Sequence, residues 1–113
     1  MSEDQAITID KAPVPRGPYV HARKHGGLVY VTGQIGRDPK TGDFVKGGFE
    51  AEFNQAIDNL EAILQAAGSS LDRVVRAQIE FVEEKDLDAM NRIYGERFKE
   101  PLPARTSRPS AWP

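Results

Sequence analysis

The chain contains no cysteine. This absence excludes a disulfide framework, a thiolate zinc site and a cysteine nucleophile together. Long apolar runs are also missing, because no stretch approaches the roughly 18 apolar residues of a membrane-spanning helix. The first residues, Met1 to Asp4, are acidic rather than basic, unlike a secretion signal. We therefore expect a cytoplasmic protein without a membrane partner.

An excess of positive charge is missing as well. The 15 basic and 17 acidic side chains nearly balance, and no cluster of lysine and arginine follows one predicted face. The electrostatic footprint of a nucleic-acid-binding protein is therefore absent, which argues against RNA or DNA as a partner. With 113 residues, the chain has the size of one compact domain, and we predict a single domain over residues 1–113.

The N-terminal part of the chain predicts a hairpin followed by a helix. Ile7 and Ile9 alternate with polar neighbours, as in a short edge strand. Residues 19–24 and 28–35 flank His25-Gly26-Gly27, where glycines can adopt positive φ angles, so a hairpin is expected there, with an apolar second strand that begins at Leu28. Apolar side chains then recur at helical spacing over residues 49–67, and Gly68 follows as a stop signal.

The C-terminal part predicts a strand, a second helix and a final strand. Residues 74–82 are rich in β-branched side chains, Asp86 is placed to cap a helix with an apolar stripe, and Pro101 and Pro103 end that helix. Pro109 would interrupt the last strand, so we expect an edge or irregular segment there. The order of elements predicts an α+β fold, with two helices packed on one face of a mixed β-sheet.

Five short motifs occur in an order that is typical of one family. They are Gly17-Pro18-Tyr19, Val31-Thr32-Gly33-Gln34-Ile35, Ala66-Ala67-Gly68-Ser69-Ser70-Leu71, Asn91-Arg92-Ile93-Tyr94 and Pro103-Ala104-Arg105. From about residue 12 to residue 105 the chain resembles the RidA/YjgF family of small imine deaminases. The resemblance implies a chorismate-mutase-like fold, a homotrimer with clefts at the subunit boundaries, and no cofactor or metal.

A homotrimer would also suit the small size of the domain. Helices that cover one face of a sheet leave the other face to be buried elsewhere. Val29, Val31 and Val75 are the residues that we expect to provide apolar surface for that second face.

Arg105 is the leading candidate for the functional site. A guanidinium presents a planar fork that can hold a carboxylate through two parallel hydrogen bonds, which lysine cannot do. Tyr19 follows a Gly-Pro turn that restricts its backbone, and the resemblance implies that it lines the cleft. Thr32 offers a hydroxyl at a strand end, and Gly33 lets a ligand approach the backbone.

Two further residues complete the predicted substrate-binding set. Asn91 carries an amide three residues before Tyr94, which matches the family pattern, and Ser107 lies where some relatives have cysteine. We interpret His21 and His25 as structural or solvent-facing, since His25 lies in a glycine turn and the sequence fixes no carboxylate partner for His21. Residues 83–86 are interpreted as a solvated loop and helix cap rather than a metal site.

The resemblance implies hydrolysis of 2-iminopropanoate or 2-iminobutanoate to a 2-keto acid and ammonia, with Arg105, Tyr19 and Thr32 as catalytic residues. The family pattern continues past Pro-Ala-Arg with strands that carry a water-handling glutamate. Residues 106–113 contain no glutamate, so we expect a domain without its final strands and weakened turnover. One alternative is a non-catalytic regulatory trimer that binds a 2-keto acid. The last is an endoribonuclease or translation inhibitor, for which neither a basic patch nor a histidine pair is visible.

Overall fold

The computed structural model describes residues 4–110 of the chain. They belong to two compact units, of which the first extends to Ser70 and the second begins at Leu71. Each unit contains one long helix and one β-sheet. In the described part of the chain, no helix is long and apolar enough to cross a membrane.

A three-stranded antiparallel sheet forms the centre of the first unit. Its strands are β1 (Gln5–Ile7), β2 (Ala22–His25) and β3 (Leu28–Val31), in the order β1-β2-β3. His25 pairs with Leu28 across a two-residue turn, in which Gly26 and Gly27 have φ angles of 60° and 81°. Two consecutive positive φ angles characterise the type I′ turn that matches strand twist, so the predicted hairpin is confirmed. Both of its strands are shorter than predicted.

The helix of the first unit packs on this sheet. Helix α1 (Gly48–Ala66) ends before Gly68, whose φ of 82° lies in the left-handed region that favours glycine. Ile63 and Ala67 form a buried cluster with side chains of the sheet and of the loop after β1, namely Ile7, Ala12 and Ala22. The predicted helix and its stop are therefore confirmed.

The direction of the β3 side chains corrects one prediction. Val29 and Val31 pack against the core cluster of the first unit, so they do not provide apolar surface for an outer face. Because side chains alternate along a strand, Leu28 and Tyr30 point outward instead and are 51% and 57% exposed. The third residue of that prediction, Val75, is 72% exposed.

Two features attach residues 35–37 to α1. Asn59 is buried, and its amide nitrogen donates to the carbonyl oxygens of Ile35 at 3.2 Å and Arg37 at 3.0 Å. Gly36 lies against the helix so closely that a Cβ atom there would be 2.5 Å from the Cα of Glu52. The buried amide of Asn59 thus holds residues 35–37 on the helix, and the lack of a side chain at Gly36 allows the close approach.

The second unit is built on two parallel strands joined by a helix. It contains β4 (Arg76–Phe81), α2 (Leu87–Arg97) and β5 (Ala104–Pro109), with short 3₁₀ helices at Leu71–Arg73 and Glu84–Asp86. In the parallel register, Ala77 pairs with Arg105 and Ile79 pairs with Ser107. This crossover is the βαβ arrangement that parallel pairing requires.

Hydrogen bonds between polar side chains span the β4–β5 pair. Arg76 donates to the hydroxyl of Thr106 at 2.7 Å, and Arg108 lies 3.4 Å from the carboxylate of Glu80. Since alternate residues point to opposite faces, Thr106 and Arg108 share one face of β5, while Arg105 and Ser107 share the other. The two faces of this strand are therefore chemically distinct.

Three sequence predictions in this unit need correction. Asp86 occupies the position before α2 but makes no capping hydrogen bond, because its own backbone is helical and the preceding 3₁₀ turn runs into the helix. The helix ends at Arg97, before Pro101, because Phe98 is already extended. Pro109 is the last residue of β5 rather than an interruption, and Ser110 still donates to Phe81, so the segment is not irregular; among the strands of the described residues, β5 pairs with β4 alone, which agrees with the edge strand that was the other expectation.

The predicted α+β class is confirmed. Antiparallel and parallel ladders both occur, as a mixed sheet requires, but the strands described here form two sheets rather than one. The prediction of a single domain without its final strands stays a prediction, and residues 111–113 of that segment lie outside the described part of the chain.

Candidate functional site

Arg105 lies on β5 and contacts two residues of α2. Its Nη2 donates to Oδ1 of Asn91 at 2.6 Å, and its guanidinium carbon lies 4.7 Å from the centre of the Tyr94 ring. Asn91 and Tyr94 are three residues apart, so they share one face of the helix. The structure thus brings Arg105 and Asn91 into contact, while their role in binding a substrate stays a prediction. The guanidinium is oriented by an amide and an aromatic face while its residue remains exposed.

Tyr94 is a member of this cluster that the set of predicted site residues omits. It is buried, and its ring stacks on Phe98 with a centroid distance of 4.3 Å. Burial raises the pKa of Tyr94, while the charge of Arg105 acts in the opposite direction. The phenol therefore stays neutral at physiological pH and cannot act as a base. Its position one turn after Asn91 was the signal that could have identified it.

Ser107 follows Arg105 by two residues, on the same face of β5. Its hydroxyl oxygen is buried and has no hydrogen-bond partner in the part of the chain that is described. A buried polar atom without a partner costs free energy, so this hydroxyl is a candidate for bonding a further group. A substrate-binding role for Ser107 stays a prediction.

Tyr19 and Thr32 belong to the first unit, where both line an open cavity of about 520 Å³ beside β2 and β3. The backbone N–H of Arg16 donates to the Tyr19 hydroxyl oxygen at 3.2 Å, which leaves the phenolic proton free to be donated. The Thr32 hydroxyl donates to the carbonyl of Val20 at 2.6 Å, so its oxygen remains an acceptor. One donor and one acceptor therefore border the same cavity.

Gly33 borders a second cavity of about 220 Å³ in the first unit, which Tyr19 also lines. The other lining residues include Arg16, Gln34 and Arg37, and we call this space the arginine-lined cavity. Nothing within 4 Å would meet a Cβ atom at Gly33, so this glycine leaves open space on the cavity side of the strand end. The predicted first-unit residues thus border one or both of two cavities.

His21 is a buried residue that joins two backbone segments, whereas His25 is exposed. His21 is buried, its Nδ1 accepts from the backbone N–H of Ile9 at 3.0 Å, and its Nε2 lies 2.7 Å from the carbonyl oxygen of Pro13. Because a backbone N–H can only donate, His21 is the neutral tautomer that carries its proton on Nε2. His25 contacts exposed Asp4 at 2.7 Å. Between residues 4 and 110, no group of three metal-ligating side chains is suitably arranged for an ion.

The predicted site residues therefore form two groups. Arg105, Asn91 and Ser107 lie in the second unit, and Tyr19, Thr32 and Gly33 lie in the first. The fold and these side chains define a small α+β protein whose polar groups are suited to contact a small molecule.

Comparison with known proteins identifies the family. The family model described as endoribonuclease L-PSP matches residues 9–111. A RutC family protein of Pyrococcus abyssi is 42% identical over 91% of this chain and 81% of its own length. The human 2-iminobutanoate/2-iminopropanoate deaminase is 38% identical over 91% of this chain and 75% of its own length. The crystal structure of RidA from an Antarctic Psychrobacter species superposes with a TM-score of 0.87 at 39% identity, and the match covers 91% of this chain and 83% of that one. The chain belongs to the RidA/YjgF family, as its motifs predict.

Proposed function

We propose that this protein hydrolyses 2-imino acids, such as 2-iminopropanoate and 2-iminobutanoate, to 2-keto acids and ammonia. The names of the human and mouse relatives, both 38% identical to this chain, support the reaction class. The observation that carries the proposal is the guanidinium of Arg105, which Asn91 and Tyr94 orient on the surface of the second unit.

Arg105 would bind the carboxylate of the imino acid. The hydrogen bond to Asn91 uses one N–H of a guanidinium that carries several, so other donors remain for a ligand. Since the amide and the Tyr94 ring already restrict the side chain, less conformational entropy is lost when a carboxylate binds. A bidentate contact would fix the orientation of the substrate as well as its position.

The reaction needs a water molecule and two proton transfers. The water oxygen adds to the carbon of the protonated imine, and one proton moves from that oxygen to the nitrogen. The carbon–nitrogen bond then breaks to release ammonia, while the second proton leaves the oxygen and a carbonyl group forms. Thr32, as an acceptor, suits an iminium N–H or the attacking water, and Tyr19, as a donor, suits a developing hydroxyl. A protonated imine is already electrophilic, so positioning provides most of the catalysis and neither metal nor cofactor is required.

The proposal includes a homotrimer. In the first unit, Leu28 and Tyr30 leave an apolar outer face on β3, and in the second unit Val75 is mostly exposed. Burying such surface between identical subunits would stabilise a chain of this size. Sedimentation equilibrium measures the subunit number directly, and a monomer at micromolar concentration would remove this part of the proposal.

A coupled assay tests the activity. A pyridoxal-phosphate-dependent dehydratase generates 2-iminobutanoate in the presence of semicarbazide, which traps free imine unless the protein consumes it first. Wild-type protein should suppress trapping. Arg105→Lys should be at least about tenfold less effective at the same concentration, because the ammonium of lysine cannot make the bidentate contact of a guanidinium. Arg108→Lys is the matched control, since it lies on the opposite face of β5.

Thr32 provides a second arm of the same assay. Thr32→Ser keeps the hydroxyl, whereas Thr32→Val keeps the shape of the side chain but removes the hydroxyl. Only the valine variant should therefore suppress semicarbazide trapping less than wild type does, by about tenfold for the loss of one hydrogen bond. Equal activity of both variants would remove the threonine oxygen from the reaction. Wild-type protein that leaves trapping unchanged would refute the deaminase proposal.

A second candidate function is binding of a 2-keto acid without turnover. The contacts of Arg105 on α2 are an amide and a neutral phenol, and neither can activate water as a base at neutral pH. Calorimetric titration with 2-ketobutyrate separates the two candidates. Saturable binding together with unchanged trapping would support a binding protein. The endoribonuclease description of the family is not our proposal, because the 15 basic and 17 acidic side chains give no basic surplus for RNA.

A further inference from the structure

Two arginines of the arginine-lined cavity converge on one backbone oxygen. Nη2 of Arg16 and Nη1 of Arg37 each donate to the carbonyl of Gly42 at 2.9 Å. Because both nitrogens contact the same atom, they lie within about 6 Å of each other, a distance at which like charges repel. Both arginines also line the cavity of about 220 Å³ that Tyr19 and Gly33 border.

Neither guanidinium has a carboxylate partner within residues 4–110. The ion pairs of this part of the chain involve other basic residues, and the guanidinium of Arg37 also lies over the ring of Phe44, 4.3 Å from its centre. A carbonyl oxygen and an aromatic face offer only partial negative charge to two full positive charges. The arrangement therefore has an excess of positive charge at the wall of a cavity.

The loop that carries Gly42 holds this arrangement in place. The carboxylate of Asp38 accepts from the backbone N–H groups of Lys40 at 2.7 Å and Thr41 at 3.3 Å, and the N–H of Gly42 donates to the Asp38 carbonyl at 2.8 Å. Gly42 has a φ of 78°, which favours glycine. Because the turn fixes the accepting carbonyl, both guanidiniums are oriented before any ligand arrives, which lowers the entropic cost of binding.

We propose that Arg16 and Arg37 form a binding site for a small oxyanion in the arginine-lined cavity. The volume is below the range of drug-sized pockets and suits a group of a few heavy atoms, such as a phosphate or a short carboxylate. Guanidinium forks match both anions geometrically. The phenolic proton of Tyr19 is free to provide a further donor from the same wall. This site shares Tyr19 and Gly33 with the proposed imine site, but it requires neither Arg105 nor turnover, so its failure and the failure of the deaminase proposal can be distinguished.

Calorimetric titration at constant ionic strength, with sodium chloride as the balancing salt, tests the proposal. The probes are inorganic phosphate and propionate in separate titrations, which distinguish a phosphate ligand from a carboxylate ligand. We expect saturable binding of at least one of them. Arg16→Gln and Arg37→Gln should each weaken it by about tenfold or more, as expected for a charge-assisted hydrogen bond. The matched control is Arg73→Gln, which removes the same charge from an exposed residue in the second unit.

Arg105→Gln provides the decisive comparison. If the anion occupies the arginine-lined cavity, this variant should bind the tighter probe as wild type does, whether or not it has lost imine hydrolysis. Loss of binding in Arg105→Gln with retention in Arg16→Gln would assign the anion to Arg105 and overturn the proposal. Absence of saturable binding by both probes would also overturn it. Circular dichroism melts verify that Arg37→Gln, whose wild-type side chain is half-buried, remains folded.

Discussion

Removal of the Asn59 amide should weaken the attachment of residues 35–37 to α1 and lower the stability of the protein. The side chain is 1% exposed and makes three hydrogen bonds, two as a donor to backbone carbonyls and one as an acceptor from Gln55 at 2.9 Å. A net contribution of about 0.5–1.5 kcal/mol per bond gives a range of roughly 1.5–4.5 kcal/mol. We expect Asn59→Ala to lower the free energy of unfolding by about 2–4 kcal/mol.

Urea denaturation followed by circular dichroism measures this loss. The midpoint concentration should fall without a change in slope, and Tm should fall by roughly 8–16 °C. All variants must be compared at one protein concentration, because any self-association contributes to apparent stability. Gln65→Ala in the same helix is the control, and its exposed side chain should contribute less than about 0.5 kcal/mol. If both variants had the same midpoint, the buried amide would not hold the loop.

An isosteric variant separates hydrogen bonding from volume. Asn59→Asp keeps the shape but places a carboxyl group opposite two carbonyl oxygens, so burial and repulsion should raise its pKa above the unfolded value of about 3.9. A raised pKa means that the folded state binds the proton more tightly than the unfolded state does. The stability of this variant relative to wild type should therefore increase as pH falls toward about 4 and decrease above it.

Three further predictions concern the site and the packing. Arg105→Lys should weaken 2-ketobutyrate binding about 10- to 100-fold in calorimetric titration, and equal affinities would remove Arg105 from the site. Gly36→Ala should lower the free energy of unfolding by about 1–3 kcal/mol or more, because the added Cβ would meet the backbone of Glu52. Gly95→Ala should raise it by about 0.5–1 kcal/mol, because nothing outside the helix lies near the added Cβ and alanine favours helix. The midpoints of urea denaturation test both expectations. Burial raises the pKa of Tyr94, so the stability that this phenol contributes is present below about pH 10 and lost as pH rises further. Tyr94→Phe should therefore lose less stability than wild type in alkaline urea melts, and parallel losses would contradict the burial effect.

The sequence predicts those features of the fold that local chemistry determines. Gly26-Gly27 permits a type I′ turn whatever surrounds it, and the apolar spacing before Gly68 predicts α1 to within a residue at either end. Arg105 and Asn91 were predicted as site residues from short motifs that resemble those of one family. The structure brings the two side chains into contact, and their binding role stays a prediction. In each of these cases, the information lies in neighbouring residues.

Other features depend on packing that a local pattern does not contain. Alternation along β3 shows that Val29 and Val31 share a face, but not that this face meets the core. Asn59 has the sequence context of a surface helix residue, and only the approach of residues 35–37 explains its burial. Arg16 and Arg37 are far apart in the chain and meet through the carbonyl of Gly42, a group that no sequence pattern marks.

The register of β4 against β5 decides which side chain of β5 faces Asn91. Because side chains alternate, a slip of one residue would turn Arg105 away from Asn91 and present Thr106 in its place. The contacts between Arg76 and Thr106 and between Glu80 and Arg108 oppose such a slip from the other side of the strand. Under the proposed carboxylate role of Arg105, only molecules with correctly aligned strands present the guanidinium beside Asn91 and Tyr94.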